Sequence, residues 1–163
     1  MAELDTPRVL TLLNRILEQE LAGVIRYTHY SLLVYGYNRI PIIGWLREQA
    51  VESLGHAQKA GEMVTHLGAY PSLEIGPLLD SHKHDIGQML RESLEHEGQA
   101  LAFYKELLTV VEGASVMLEE YAREMVLAEE LHAGEVNKML RKPGEIDAFR
   151  PALAAEASLT RNA

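Results

Sequence analysis

An all-α, antiparallel four-helix bundle with one long crossover is the fold class that the sequence predicts. Three observations predict it. Four long segments repeat apolar residues at three- and four-residue steps, the helical period. Leu, Ala, Glu, Gln and Lys dominate those segments while aromatics are only 6% of the chain, which favours helix over strand. The breaks between segments are short, long and short in turn.

The first helix is predicted over about residues 7–35, opening on Thr6-Pro7, a capping residue with proline in the first turn. Its stripe reads Leu10, Leu13, Leu17, Leu21, Val24 and Thr28, and Gly36 with the run 38–41 ends it. The second spans about 41–67 with Leu46, Ala50, Ser53, Ala57, Ala60 and Val64 on one face and Gly68 as its stop. A connection with prolines at 71 and 77 follows. The third helix is expected from Asp80 or Ser81 to 111, with Ile86, Leu90, Ser93, Glu97, Leu101, Tyr104 and Leu108 facing inward. After Gly113 the fourth covers about 114–141 on Leu118, Ala122, Met125, Glu129, His132, Val136 and Met139, and Pro143-Gly144 closes it. At 1.5 Å per residue each helix reaches roughly 40 Å, so the long middle link can carry the chain back along the bundle before the second hairpin starts. One domain is expected over 1–145, with a short helix or flexible tail over 146–163.

Composition narrows function. The 163 residues and 47% hydrophobic content suffice for one continuous core. With no cysteine, thiolate metal sites, iron–sulfur clusters and cysteine nucleophiles are excluded, and any metal must be held by oxygen and imidazole nitrogen. A net charge of −9 argues against nucleic-acid partners and suits a protein that attracts cations. No 18-residue apolar run is present, so no membrane span is expected, and the opening residues lack the order of a signal peptide; a cytoplasmic location is the default expectation.

The candidate chemistry lies where ionisable residues interrupt apolar stripes. Glu20 does so on the first helix, Glu97 on the third, Glu129 and His132 on the fourth, and His56 lies beside the stripe of the second. A lone carboxylate in a dry core costs several kcal/mol, so it protonates or finds a cation. Acids and imidazoles from four helices share one solution, a metal cluster. Glu129 and His132 are one turn apart on one face, able to serve one ion or to bridge two. Glu20 precedes His56 by 36 residues and Glu97 precedes His132 by 35, so each hairpin offers a carboxylate and a histidine at matching depth. Fe²⁺ or Mn²⁺ suits such a mixed shell, and Zn²⁺ is a further possibility.

At this point the chain resembles a bacterioferritin over roughly residues 5–142. The run 12–21 (LLNRILEQEL) with Tyr27, the run 89–91 (MLR) leading to Glu97, and the run 129–132 (EELH) carry the resemblance. It implies the ferritin-like fold with its one long crossover. It also implies that Glu20 terminates one metal site, that Tyr27 sits beside the metals, that Glu97 is a ligand, and that Glu129 bridges with His132 as the histidine ligand. Tyr27 is assigned a catalytic, radical-quenching role, the alternative being a core tyrosine with a bonded hydroxyl. The implied activity is a di-iron ferroxidase: two Fe²⁺ ions react with O₂ or peroxide and become Fe³⁺ for storage or detoxification. A homodimer or larger homo-oligomer is the implied assembly, with the dimer expected through the first two helices.

Two departures qualify the resemblance. The family carries Glu-x-x-His on its second helix, but Ser53 stands three residues before His56. Either Glu52 swings in through a local distortion of the helix, or the site has one carboxylate bridge fewer. The position matching the family's haem methionine is Leu54, which cannot ligate iron, so haem is not expected. The other reading is a non-catalytic ferritin-like metal-binding or structural protein with a degraded site. Glu18 and Glu130 are read as solvated, His29 and His66 as packing or surface residues, His96 as facing away from Glu97, and the run 80–85 (DSHKHD) as a helix start.

Overall fold

A computed structural model describes residues 3–149 of the chain. Four helices follow one another: α1 (Thr6–Leu33), α2 (Arg39–His66), α3 (Ile86–Val111) and α4 (Val116–Leu140). No strand occurs among the described residues. α1 packs on both α2 and α3, and α3 on α4. The turns of the two hairpins use Gly36 and Gly113 at positive φ, 85° and 71°, where a side chain would be strained.

The caps set the boundaries. The Asp5 carboxylate accepts from the Arg8 backbone N–H at 3.1 Å. Ser115 caps α4 through its hydroxyl, and Asp85 caps α3 by accepting from the Gln88 N–H at 3.0 Å. The last of these corrects the expected start of the third helix at Asp80 or Ser81. Asp85 is the capping side chain, and residues 80–84 stay non-helical, held against α1 instead.

That anchoring runs along the whole crossover. Ser72 donates its N–H to Asn14 Oδ1 at 2.8 Å and its hydroxyl to Glu18 at 2.5 Å, so Glu18 is tied to the crossover rather than fully solvated. Gly76 N–H donates to the Glu18 carbonyl at 2.8 Å, and Arg26 donates twice to the Pro77 carbonyl, at 2.7 and 3.1 Å. A Cβ at Gly76 would lie 3.0 Å from that Glu18 carbonyl oxygen, so glycine lets the link lie directly on α1.

The inward face of α1 is rotated from the expected stripe. Val9, Leu13, Ile16, Glu20, Gly23, Tyr27 and Tyr30 are buried, whereas Thr28 is exposed and returns its hydroxyl to the Val24 carbonyl. The expected face of α2 is buried throughout, from Leu46 to Val64. Two apolar clusters result. One gathers Val9, Leu13, Ile16, Tyr104, Leu118 and Met125; the other gathers Tyr27, Tyr30, Val34, Leu46, Ala50 and Met89. Residues 146–149 carry no regular structure, and the rest of the expected C-terminal segment lies outside the described residues.

Because the crossover approaches backbone to backbone at Gly76, Gly76→Ala is expected to destabilise the protein by about 1–3 kcal/mol through overpacking against α1. A shift of the urea midpoint at unchanged slope would show it; an unchanged midpoint would mean that the link is not docked there.

Candidate metal centre

Each helix sends one or two polar side chains into the bundle. Glu20 (α1), Glu97 (α3) and Glu129 (α4) are buried, with Glu129 only 2% exposed; His56 (α2) and His132 (α4) are nearly so. One ligand atom each from Glu20, His56 and Glu129 lies within 4.8 Å of the other two. His56 Nδ1 is 2.9 Å from Glu129 Oε1 and 3.5 Å from Glu20 Oε1. A second group lies beside it. Tyr27 donates its hydroxyl to Glu97 Oε1, and His132 Nε2 lies 3.3 Å from the same hydroxyl and 3.9 Å from Glu97. Tyr104 donates to Glu20 at 2.8 Å. Each tyrosine therefore serves the carboxylate of the other hairpin.

Glu52 is not brought into this group. Its side chain is 46% exposed, and it faces His56 Nε2 at 3.9 Å, the ring nitrogen turned away from Glu20 and Glu129. α2 is regular α-helix through this region, with no distortion to turn Glu52 inward. Ser53 is buried but points at Gly23, where a Cβ would come within 2.8 Å of its hydroxyl oxygen. α2 thus brings one imidazole and no carboxylate to the cluster. A cavity of about 430 Å³ opens between α2 and α4 and reaches the group from outside, with Trp45, Gln49, Glu52, His132 and Glu135 among its walls.

His96 faces away from Glu97, as expected, but its burial was not foreseen. It is buried, its Nδ1 lies 3.0 Å from Gln19 Nε2, and its Nε2 faces Gly23 beside Ser53. Burial, with the nearby Arg26 charge, pulls its pKa down to about 3 and keeps the ring neutral. The available signal was the repeat: Gln19-Glu20 with Tyr27 in one hairpin corresponds to His96-Glu97 with Tyr104 in the other. Glu130, by contrast, pairs with Lys105 at the surface at 2.7 Å.

Protons balance the charge of this cluster. Burial works against a charged His56, but hydrogen bonds to Glu129 and Glu20 lift its pKa to about 10, so an imidazolium lies between the two carboxylates at neutral pH. Burial, and then the charge of Glu129, push Glu97 up to about 8. Burial also raises Glu20. Glu129 Oε2 is fully buried and has no hydrogen-bond partner, as is true among the described residues of Gln49 Oε1 and the Tyr121 hydroxyl. An orphaned carboxylate oxygen surrounded by further oxygen and imidazole donors fits a divalent cation of the hard or borderline class.

Residues 10–145 match the ferritin-like domain family. The chain belongs to that family. It is 33% identical over 103 residues to the bacterioferritin of Brucella melitensis, a match covering 61% of this chain and 62% of that protein. Solved structures share the fold of this ferritin-like chain. A ferritin-like, diiron-carboxylate protein from Bacillus anthracis superposes with a TM-score of 0.78 at 22% identity, covering 86% of this chain and all of the other. A dodecameric thioferritin from Bacteroides fragilis gives 0.78 at 24% identity over 85% of this chain and 87% of its own. The bacterioferritin of Rhodobacter capsulatus gives 0.75 at 22% identity over 85% and 86%. Among the described residues no helix is long and apolar enough to cross a membrane.

The raised pKa values set a pH dependence. Glu97 moves from 4.5 to about 8 and His56 from 6.5 to about 10. A raised folded pKa contributes stability that is complete below the unfolded value and lost as pH climbs through the folded one. In chelator, the urea midpoint is therefore expected to fall between pH 6 and pH 9, and Glu97→Gln to flatten the fall. A midpoint that rises over this range would contradict the assigned protonation.

Proposed function

We propose that this ferritin-like protein binds two Fe²⁺ ions in the bundle core and oxidises them to Fe³⁺ with O₂ or peroxide, for storage or detoxification. The observation that carries the reading is the buried triad of Glu20, His56 and Glu129, whose ligand atoms lie within 4.8 Å of one another, with Glu129 Oε2 unpartnered and a second carboxylate–histidine pair at Glu97 and His132. Glu20 and His56 would hold one ion, and Glu97 and His132 the other. Glu129, and then Glu97, are the best-placed bridges. Mn²⁺ and Zn²⁺ suit the same donors and would compete. Haem has no ligand at Leu54, which lies exposed on α2.

The electron balance is simple. Two ferrous ions each give one electron, and the oxidant accepts both together with protons. The chain supplies the setting. Metal entry displaces the proton of Glu97 and the proton of His56, so affinity rises with pH through neutrality and binding releases protons. Tyr27, whose hydroxyl donates to Glu97 and whose ring centroid is 6.2 Å from that of Trp45, would quench a stray oxidising equivalent. Glu52 and Glu135, on the wall of the outer cavity, would draw cations toward His132 rather than bind them finally.

A non-catalytic metal-binding reading is favoured by one observation, the Ser53–Gly23 contact where a further bridging carboxylate would stand. Homo-oligomerisation is part of our proposal, supported by large apolar side chains left exposed, Leu32, Tyr35, Tyr70 and Leu73 among them. The dodecameric Bacteroides fragilis relative points the same way. A cytoplasmic setting, where Fe²⁺ is available, accords with this role.

Optical titration with Fe²⁺ in air distinguishes the two readings. The ferroxidase reading expects oxidation saturating at two ions per chain, faster than in free solution. Glu97→Ala should slow it by at least about tenfold while helical circular dichroism is retained. Binding without oxidation would establish the non-catalytic reading.

A further inference from the structure

The docked crossover creates a second histidine pair, on the surface of α1 and separate from the core cluster. His82, in the non-helical stretch before Asp85, places its Nδ1 3.2 Å from Nε2 of His29. The ring planes lie within 26° of each other, with centroids 5.2 Å apart, so the two nitrogens face one another. In the metal-free protein one ring donates a hydrogen bond to the other. The separation also fits a shared ion. With nitrogens about 2.0–2.1 Å from a metal, 3.2 Å corresponds to an angle of about 100° at the ion, between square-planar and tetrahedral values. Both rings border a cavity of about 490 Å³, and either can rotate to turn its lone pair onto a common ion.

The surrounding charges permit this. Asp80 lines the same cavity without closing on the pair, so the two imidazoles are the protein ligands of the site. Arg26, also on the wall, is engaged with the Pro77 carbonyl. Lys83 is turned to Ser81 at 3.1 Å and to Glu92 at 3.6 Å. The remaining positions around an ion would be filled by water. Two imidazoles without a carboxylate prefer Cu²⁺ or Zn²⁺ to Fe²⁺, so iron loading of the core leaves this pair free.

We infer that His29 and His82 form a surface site for a borderline divalent cation, Zn²⁺ or Cu²⁺, which clips the crossover onto α1. The site requires neither occupancy nor activity of the core. Its ligands come from two segments 53 residues apart, so binding there links the crossover to the first helix directly.

Titration of the full chain with micromolar Cu²⁺, followed by pulsed paramagnetic resonance, reads the site. The core reading gives each ion one histidine, so a Cu²⁺ coupled to two imidazoles is the signature expected of this pair. His29→Gln and His82→Gln should each abolish that species and one equivalent of bound Cu²⁺, with Fe²⁺ oxidation unchanged. Zn²⁺ should also slow backbone hydrogen exchange over residues 77–84 in the unsubstituted protein, a reading that needs no variant. Absence of the two-imidazole signal, its survival in either variant, or unchanged exchange on adding Zn²⁺ would overturn the inference.

Discussion

Carboxylates sunk in the middle of the bundle are the constraint to which the rest of the structure answers. Glu20, Glu97 and Glu129 could not remain charged there without compensation, since each would forfeit several kcal/mol of hydration. The protein meets the cost with protons and hydroxyls: an imidazolium at His56, a retained proton at Glu97, Tyr104 donating to Glu20 and Tyr27 donating to Glu97. Apolar clusters built on Leu13 and Met125, and on Tyr30 and Leu46, keep water from doing the same work. The Glu129 oxygen left without a partner is one that a divalent cation would satisfy.

The two hairpins meet this constraint almost symmetrically. Glu20 corresponds to Glu97, Tyr27 to Tyr104, His56 to His132 and Gln19 to His96, and the tyrosines cross between hairpins. The correspondence breaks at one place, Ser53 against Glu129. Around that break, Gly23 leaves the space that Ser53 and the neutral His96 turn toward. The two carboxylate–histidine groups are thus unequal by construction, with Glu129 carrying the charge that a symmetric arrangement would divide.

Much of this was legible from residue spacing, and the losses have physical causes. The α2 face, and the α4 face as far as Val136, follow from strict three- and four-residue steps, whereas Met139 at the end of α4 is exposed. The α1 face did so only in part, because Gln19 and Gly23 belong to its buried side and no hydropathy reading ranks them as core. His96 was missed for the same reason: a polar ring is buried only because Gln19 reaches it from another helix, a contact 77 residues away in sequence. The start of α3 was misplaced because the run 80–85 holds two acidic residues that could cap, and only tertiary tethering of the crossover to α1 selects Asp85. Glu52 could not be assigned from sequence at all, since its direction depends on whether α2 stays regular.

Iron entering the space around Glu129 is what the buried carboxylates imply. Anomalous diffraction at the iron edge, from crystals loaded with Fe²⁺ without oxygen, tests this directly. Two peaks are expected, one between Glu20 and His56 and one between Glu97 and His132, with Glu129 touching both. Density for protons and water alone at that place, with iron bound only at the surface, would contradict it.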